Sequence, residues 1–269
     1  VGANPSLAGS AADLATVIAS AGITGKGDAV IDVTDTGAVN LAHSKAIDAA
    51  TTKLVTADNY TSAFGTVSDA VDLYKTANAT TAFTGEGNED VVINDLIVDA
   101  GKLKIFTKGG TNGAPYTSGQ ITVTSSAISG DLDDVQEMLN NSALNTTVNA
   151  TTNAKFTGLG AADVIIPLRN AANNADQLLT VVQVEALAAK TTGTITASLN
   201  SNQVSLLGGL TEVHNLSIAI TGAQVNATTI NDLTTKATGN VTTVATSIVG
   251  DAADVLLSLI HISEHTRPL

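Results

Sequence analysis

The chain has 269 residues, a net charge of −13 and no cysteine. The lack of cysteine excludes disulfides, thiol catalysis and cysteine metal sites, and the acidic composition disfavours nucleic acid as a partner, because no basic patch could replace phosphate counterions. Aromatic residues make up 3% of the chain, so we expect a core of Ala, Val, Leu and Ile. No apolar run approaches the ~20 residues that a membrane-spanning helix needs.

The N-terminal third alternates helical and strand patterns. Ser10, followed three residues later by an acid, predicts the start of a first helix. Alternating segments predict strands at Ala29–Val33 and Lys53–Thr56, and further helices are predicted after Thr36 and from Thr66. The pattern therefore predicts helices and strands in regular succession.

Residues 84–128 break this rhythm. They contain the period-two segments VVINDLIV, KLKIF and QITVTSS, and the turn cluster Gly109–Pro115. Such segments separated by turn residues are typical of hairpins. We therefore expect a β-hairpin-rich insertion in residues 84–128.

After the insertion, helices are predicted from Ser129 and from Asn174, and the segment Gly193–Leu256 then shows three copies of one unit. Each copy begins with an alternating segment and continues into an amphipathic one, with a period of roughly 24 residues that is typical of repeat proteins. Residues able to cap a helix N-terminus separate the two parts: Ser201, Asn226 and Asp251.

This unit constrains the fold. Successive strands joined through a helix run parallel with right-handed crossovers, and one unit cannot bury its apolar face alone, so the copies must stack. The sequence predicts an α/β solenoid of ~24-residue strand-turn-helix repeats, with repeats in residues 1–83 and 129–256 around the insertion at 84–128. The alternative is an ordinary compact α/β domain with evenly spaced elements.

A second repeat carries the only candidate site. FTGEGNEDVVI from Phe83 and FTGLGAADVII from Phe156 match closely, and a fainter TGKGDAVI begins at Thr24. The first copy is similar to the calcium-binding nonapeptide GGxGxDxUx, in which glycines permit a tight turn and oxygens bind the ion. This similarity makes five residues candidate calcium ligands: Gly85, Gly87, Asn88, Glu89 and Asp90.

The match to the nonapeptide is incomplete. Thr84 replaces the first glycine, Glu89 stands where Asp belongs, and the second copy has Ala161 and Ala162 in the liganding region. The alternative interpretation is a repeat turn followed by a buried strand. Apart from calcium, we expect no cofactor.

Two charged groups have plainer interpretations. Negative charge in the first turn of a helix complements its free amides, so we expect capping rather than metal binding from Asp131, Asp133 and Asp134. We expect a second group, Lys102, Lys104 and Lys108, to form a solvated strand face or to contact a glycan or partner.

The segments AGSAADLATVIASAGIT, AVIDVTDTGAVNLAHSKAIDAATTKLVTADN and VGDAADVL resemble the Ala-, Thr- and Asp-rich repeats of very large secreted cell-surface proteins of cyanobacteria and other marine bacteria. Such proteins often carry hemolysin-type calcium-binding repeats and are thought of as surface, adhesion or matrix components. The resemblance implies an extracellular or cell-surface location. It supplies no catalytic residues to carry over.

We therefore expect a structural or adhesive repeat segment of a large extracellular bacterial surface protein, and not an enzyme. Its expected partners are neighbouring repeats, glycans or the cell envelope. The alternative is a surface-array (S-layer-like), ice-binding or glycan-binding solenoid, and a remote one is a carbohydrate-active enzyme, although no convincing carboxylate pair recurs.

The last thirteen residues, 257–269, depart from the repeat composition. LSLIHISE followed by HTR resembles the translated transposon end used in sequencing libraries, except that His265 stands where that translation has proline. We expect a non-native tail on a metagenomic fragment that is truncated at both ends. The alternative is a genuine C-terminal tail.

Overall fold

The computed structural model of the chain describes residues 5–79, 83–85, 87–108, 116–143, 155–170, 173–200, 216–221, 224–237 and 241–265. The fold is α/β with mostly parallel sheets. It divides into two compact units, unit 1 (Val1–Ser125 and Asn141–Gly158) and unit 2 (Ser126–Asn140 and Leu159–Leu269).

The described residues contain eight α-helices and a short 3₁₀ helix at Lys26–Asp28. The α-helices are α1 (Ala11–Ala19), α2 (Leu41–Ala50), α3 (Val67–Ala79), α4 (Ala100–Lys108), α5 (Leu132–Ala143), α6 (Val181–Ala188), α7 (Ala227–Lys236) and α8 (Ala252–His265). The predicted non-native tail therefore begins inside α8, and its origin stays a prediction.

Short strands occupy most of the remaining described chain. They are β1 (Ser6–Gly9), β2 (Val30–Val33), β3 (Ala38–Asn40), β4 (Val55–Thr56), β5 (Ser62–Gly65), β6 (Phe83–Thr84), β7 (Asp90–Ile93), β8 (Ile97–Asp99), β9 (Gln120–Val123), β10 (Ala127–Ser129), β11 (Lys155–Thr157), β12 (Asp163–Ile165), β13 (Leu178–Leu179), β14 (Ile195–Asn200), β15 (Leu216–Thr221), β16 (Gln224–Asn226), β17 (Val241–Thr243) and β18 (Ser247–Val249).

The strands form open, parallel sheets within each unit. Unit 1 has the orders β1-β2-β4-β6 and β3-β5-β7-β9-β11. Unit 2 has the order β10-β12-β14-β15-β17, with β13 beside β14, and the pair β16-β18. The predicted parallel sheet is confirmed.

In the first ladders, paired residues are separated by a constant number of residues. Ser6 lies opposite Val30, Ile31 opposite Val55 and Ala38 opposite Ser62, so each of these partners is 24 residues away. Later ladders join partners up to 36 residues apart, as Ala127 and Asp163 are. Elements of variable length are therefore inserted between strands that keep the same order.

The core lies between the sheets and the helices of each unit. In β2 the side chains of Ile31 and Val33 are buried and that of Asp32 is exposed, as the alternation of a strand requires. On α2 the residues at helical spacing, Leu41 and Ile47, are fully buried. Each fully buried side chain of this size contributes about 1.5–3 kcal/mol relative to an exposed one.

Two predicted helix starts are wrong. α2 begins at Leu41 rather than directly at Thr36, because strand β3 intervenes and the Asn40 side chain caps the helix. α6 does not begin at Asn174, because Leu178–Leu179 pairs with β14 and Thr180 forms a capping box with Gln183. The predicted cap at Asn226 is confirmed, whereas the one at Ser201 lies outside the described residues.

The predicted β-hairpin-rich insertion is also wrong for the described part of residues 84–128. The segment KLKIF lies in α4, where Leu103 and Phe106 are buried at the i, i+3 spacing of a helical face, and β7 pairs with β9 in parallel. An alternating run this short fits a helix and a strand equally well. The Gly109–Pro115 cluster lies outside the described residues.

Side chains from the following turn cap several helices. The carboxylate of Asp35 accepts the amide of Ala11 on α1, and that of Asp95 accepts the amide of Val67 on α3, both at 2.7 Å. Both acids stand two residues after a strand, as does Ser125, whose buried hydroxyl has no hydrogen-bond partner among the described residues. These caps join helices to turns 24 and 28 residues further along the chain.

We predict that Asp95→Ala lowers the free energy of unfolding by about 1 kcal/mol, because the first amide of α3 loses its acceptor. Urea denaturation measures the change. Asp95→Asn is the matched control, since its amide oxygen can still accept, and it should keep most of the stability. An Asp95→Ala variant as stable as the parent protein would show that the cap contributes nothing.

An ion-pair cluster joins α2 to α3. The Nζ of Lys45 lies 2.9 Å from Asp69 and 2.7 Å from Asp72. Burial acts to raise the pKa of Asp69, but the hydrogen bonds from Lys45 and Thr66 outweigh it, so this pKa lies below its usual range. Burial raises the pKa of Asp48 on α2. Ionisation of Asp69 therefore stabilises the fold, whereas ionisation of Asp48 destabilises it.

A carboxyl group with a lowered pKa stabilises the fold above its unfolded pKa of about 4, and this stabilisation is lost as the pH falls further. We predict that Asp69→Asn costs about 0.5 kcal/mol at pH 7 and nothing near pH 2. Asp48→Asn should instead stabilise at pH 7, because its ionised form is penalised by burial, and this gain should vanish below about pH 4. Thermal melts across this pH range measure both effects. If the two variants changed stability with pH in the same direction, the assignment would be contradicted.

Candidate functional site

The three TGxG loops form the candidate site, since the second contains the predicted calcium ligands. In each loop the first glycine has a left-handed backbone, with φ of +80° at Gly25, +99° at Gly85 and +112° at Gly158. Side chains disfavour this conformation. A Cβ at Gly158 would also lie 1.9 Å from the carbonyl oxygen of Val123. The glycines therefore permit a tight turn, and Gly158 also permits a close approach to the neighbouring strand.

The second glycine of each loop is hydrogen-bonded to the following turn. Its carbonyl oxygen accepts a backbone amide in all three copies. The pairs are Thr52 N to Gly27 O at 3.2 Å, Ser118 N to Gly87 O at 2.7 Å, and Thr192 N to Gly160 O at 2.9 Å.

A threonine hydroxyl makes the next contact. Two residues after the second glycine, a carbonyl oxygen accepts this hydroxyl in every copy. The pairs are Thr51 to Ala29 at 2.7 Å, Thr117 to Glu89 at 2.7 Å, and Thr191 to Ala162 at 2.6 Å. The same hydroxyls accept the amides of Lys53, Gly119 and Gly193 at 3.0–3.1 Å. We call the amide bonds to the second glycine and the threonine hydroxyl bonds to the carbonyl oxygens, taken together, the inter-turn latch.

A carboxylate adds a third bond in two copies. The Oδ1 of Asp90 accepts the amide of Gln120, and that of Asp163 accepts the amide of Thr194, both at 2.6 Å. The chain approaches so closely here that a Cβ at Gly119 would lie 2.1 Å from the Glu89 carbonyl oxygen. Asp90 and Asp163 therefore hold equivalent positions in the two FTGxG copies.

Glu89 differs from its counterparts, which are alanines. Its side chain is 2% exposed. One carboxylate oxygen accepts the hydroxyl of Tyr74, and the other accepts the amides of Gly87 at 2.8 Å and Asn88 at 3.0 Å. Tyr74 is itself fully buried and packs edge-on against Phe106 with ring centroids 5.3 Å apart. The buried charge is thus held by three donors, as a buried carboxylate requires.

These contacts bear on the proposed calcium ligands. The structure brings the five residues into one loop, but Glu89 points to Tyr74, and Asp90 bonds to Gln120. The carbonyl oxygens of Gly87 and Glu89 accept protein donors. Among the described residues there is no group of three His, Asp or Glu that could hold a metal ion. Calcium binding stays a prediction, and the observed geometry favours the latch.

The acidic residues at the start of α5 lie beside a small cleft. Asp131 accepts the side-chain amide of Gln177 at 3.2 Å, and the Gln177 oxygen in turn accepts the amide of Leu132 at 3.0 Å. The cleft has a volume of about 220 Å³, below the 300–1,000 Å³ typical of ligand pockets. The side chain of Asp131 therefore holds Gln177, and Gln177 caps the start of α5.

The predicted strand face of three lysines is wrong, because Lys102, Lys104 and Lys108 lie on helix α4. Lys102 donates to the hydroxyl of Ser68 on α3 at 3.2 Å. Within the described ranges, no helix has the length and apolar character needed to cross a membrane.

Comparison of the chain with protein-family models, with curated proteins and with solved structures finds no match.

Sequence reasoning found the TGxG loops but missed the latch threonines. The available signal was a second short motif, Thr-x-Gly or Thr-x-Lys, which follows each loop at Thr51, Thr117 and Thr191. Its distance from the loop varies because the segments that connect the intervening strands and helices differ in length, so a fixed repeat period does not reveal it.

We predict that Thr117→Val lowers the free energy of unfolding by about 1–3 kcal/mol, because the buried Glu89 carbonyl and the Gly119 amide lose their partner while the side-chain volume is kept. Thr122→Val is the control, since Thr122 lies on the outward face of the neighbouring strand β9. The control should change stability by less than about 0.5 kcal/mol. Equal effects of the two variants in chemical denaturation would show that the latch bonds of Thr117 do not stabilise the fold.

Proposed function

We propose that this chain is a structural and adhesive segment of a large extracellular bacterial surface protein, built as a solenoid of strand-helix repeats and without catalytic activity. The observation that carries the proposal is the inter-turn latch, which joins each of the three TGxG loops to the turn after it. In a solenoid, stability comes from such nearest-neighbour contacts rather than from one central core.

The 24-residue spacing of strand partners supports the same proposal. Parallel ladders that add one strand per repeat can be extended without limit, whereas a closed or centrally packed domain cannot. A long protein that reaches from a cell surface needs this property. The resemblance of the repeats to those of secreted surface proteins gives the proposal its location.

The outward face of the β3-β5-β7-β9-β11 sheet is the proposed contact surface. Asn40, Phe64, Val92, Thr122 and Thr157 lie side by side across its five strands. Neighbouring strands are about 4.8 Å apart, so these side chains form one row. The ring of Phe64 lies between the amide of Asn40 and the apolar side chain of Val92, and two threonines complete the row. This mixture suits the mixed apolar and polar surface of a glycan.

The ice-binding alternative requires uninterrupted rows of threonine. In unit 2, Thr196 lies beside Ser217 and Thr242 lies beside Ala219. Serine and alanine break the spacing of methyl and hydroxyl groups in these rows, so we prefer the structural and adhesive function.

We predict that the chain binds immobilised bacterial surface polysaccharide and that Phe64→Ala weakens this binding at least about fivefold, the loss of roughly 1 kcal/mol of apolar contact. Leu96→Ala is the matched control, because Leu96 is 78% exposed and lies outside the row. Binding that both variants retain equally would contradict the assigned surface, and sugar release from the polysaccharide would contradict the non-catalytic function.

A melt with and without calcium tests the loop chemistry. Because protein donors bond to the carbonyl oxygens of Gly87 and Glu89 and to the carboxylates of Glu89 and Asp90, we expect the melting temperature in millimolar calcium to equal that in EDTA. A rise in melting temperature with calcium that Glu89→Gln abolishes would support the calcium site. It would contradict the view that the latch alone stabilises the loop. Glu89→Gln itself should be destabilising without calcium, since it replaces a charge that accepts three hydrogen bonds.

A further inference from the structure

Two neighbouring strands of the proposed contact surface carry a patch with two chemically different halves. Ser62 and Phe64 point outward from β5, and Asp90 and Val92 point outward from β7, while the residues that alternate with them are buried. The register places Ser62 beside Asp90, and Phe64 beside Val92. We call these four residues the β5-β7 patch. One half of the patch is polar and the other is apolar.

The β5-β7 patch lies in the interior of its sheet. β3 lies on one side of the two strands, and β9 and β11 lie on the other, so described strands flank the patch in both directions. Phe64 is 36% exposed, and Asp90 is exposed at the start of β7. The exposure of these side chains therefore belongs to the face of the sheet and does not come from an end of the strand order.

The carboxylate of Asp90 uses one of its two oxygens within the fold. Oδ1 accepts the backbone amide of Gln120 at 2.6 Å, whereas no hydrogen bond or ion pair to Oδ2 is found among the described residues. An ionised carboxylate has about four lone-pair sites for such bonds. The Gln120 amide thus fixes the position of an exposed anion whose second oxygen can accept a donor from outside the chain.

The ring of Phe64 lies diagonally across from Asp90. Strands are about 4.8 Å apart and two residues of a strand span roughly 6.6 Å, so the two Cα atoms are about 8 Å apart. The face of an aromatic ring carries partial negative charge and attracts cations. A ligand with a positive charge at one edge of an apolar body is therefore attracted by both residues, whereas an anion is repelled by Asp90.

We propose that the β5-β7 patch binds amino sugars, so that the glycan partner of the chain is a polysaccharide with unacetylated amino groups. A pyranose ring has an apolar face of C–H groups, which packs on Phe64 and Val92. Its protonated amine donates to the carboxylate of Asp90, and such a charge-assisted bond is stronger than a neutral one. This inference rests on the proposed contact surface and names the class of glycan that the surface binds.

The charge of the chain also favours a cationic partner. The net charge of −13 attracts polycations and repels polysaccharides that carry uronic acid or sulfate. This attraction acts on any polycation and is screened beyond about 10 Å at 0.1 M salt. Within the five strands of the sheet one residue is basic, Lys155 on β11, two strands away from β7. Selective binding therefore depends on the contacts of Asp90 and Phe64.

Isothermal titration calorimetry of the full chain with a matched pair of sugars tests the proposal. The probes are a β-1,4-linked glucosamine hexamer and its fully N-acetylated counterpart, which differ only in acetylation of the amino groups. We expect the glucosamine hexamer to bind about three- to fivefold more tightly in 50 mM NaCl, as one exposed ion pair allows, and about equally in 0.5 M NaCl. Equal affinities at low salt, or no binding of the glucosamine hexamer, overturn the proposal.

Asp90→Asn removes the charge and keeps an oxygen that can accept the amide of Gln120. It should abolish the preference for the glucosamine hexamer and leave the affinity for the acetylated one unchanged. Asp163→Asn is the matched control, because Asp163 is exposed in unit 2 and also accepts a strand amide at 2.6 Å, that of Thr194. No aromatic residue lies on its strand or on the two strands beside it. Equal loss in this control indicates attraction to net charge alone and overturns the proposal.

Two further outcomes separate this inference from the proposed function. If Phe64→Ala weakens binding of both hexamers but Asp90→Asn changes neither, the contact surface stands and its preference for amino sugars is wrong. If hexalysine binds as tightly as the glucosamine hexamer and loses affinity with Asp90→Asn, the patch binds cationic peptides, which also overturns the proposal. Thermal melts confirm that each variant is folded. If Asp90→Asn is not, Ser62→Lys replaces it, since a positive charge beside Asp90 should abolish the same preference.

Discussion

The fold depends on hydrogen bonds between successive turns of the chain. A parallel ladder supplies the regular part of this connection, but the ladders are only two to six residues long, and side chains and loop carbonyls supply the rest. The latch threonines, Asp35, Asp95, Asp90 and Asp163 all act across one turn. Because their partners are backbone groups, the same bonds can form in every copy whatever the surrounding side chains.

This dependence explains why one motif permits two interpretations. Glycine at positive φ followed by oxygen-bearing residues is what a calcium loop needs, and it is also what a tight turn needs when its carbonyl oxygens accept donors from the next strand. The decisive atoms are the donors. Tyr74 and Thr117 approach the TGEG loop from elsewhere in the chain. The loop sequence contains none of this information.

The same distinction describes what the sequence could predict. Parallel α/β architecture followed from alternation and from helix-sized connections, and local caps such as Ser10 and Asn226 were recognisable because donor and acceptor are three residues apart or fewer. Asp35, Asp95 and Gln177 cap helices 24, 28 and 45 residues away, so their role depends on stacking. Five residues cannot distinguish the period of two of a strand from the period of 3.6 of a helix, so KLKIF fits both. In the structure it is helical, and Leu103 and Phe106 are buried on one face.

The position between the two glycines of the TGxG loop is occupied by lysine, glutamate and leucine in the three copies. The latch uses glycine backbone and a distant hydroxyl, so it places no demand on this side chain. Partner strands tolerate separations from 20 to 36 residues for the same reason. The junctions between turns can therefore stay the same while the side chain between the glycines changes and the connecting segments lengthen or shorten.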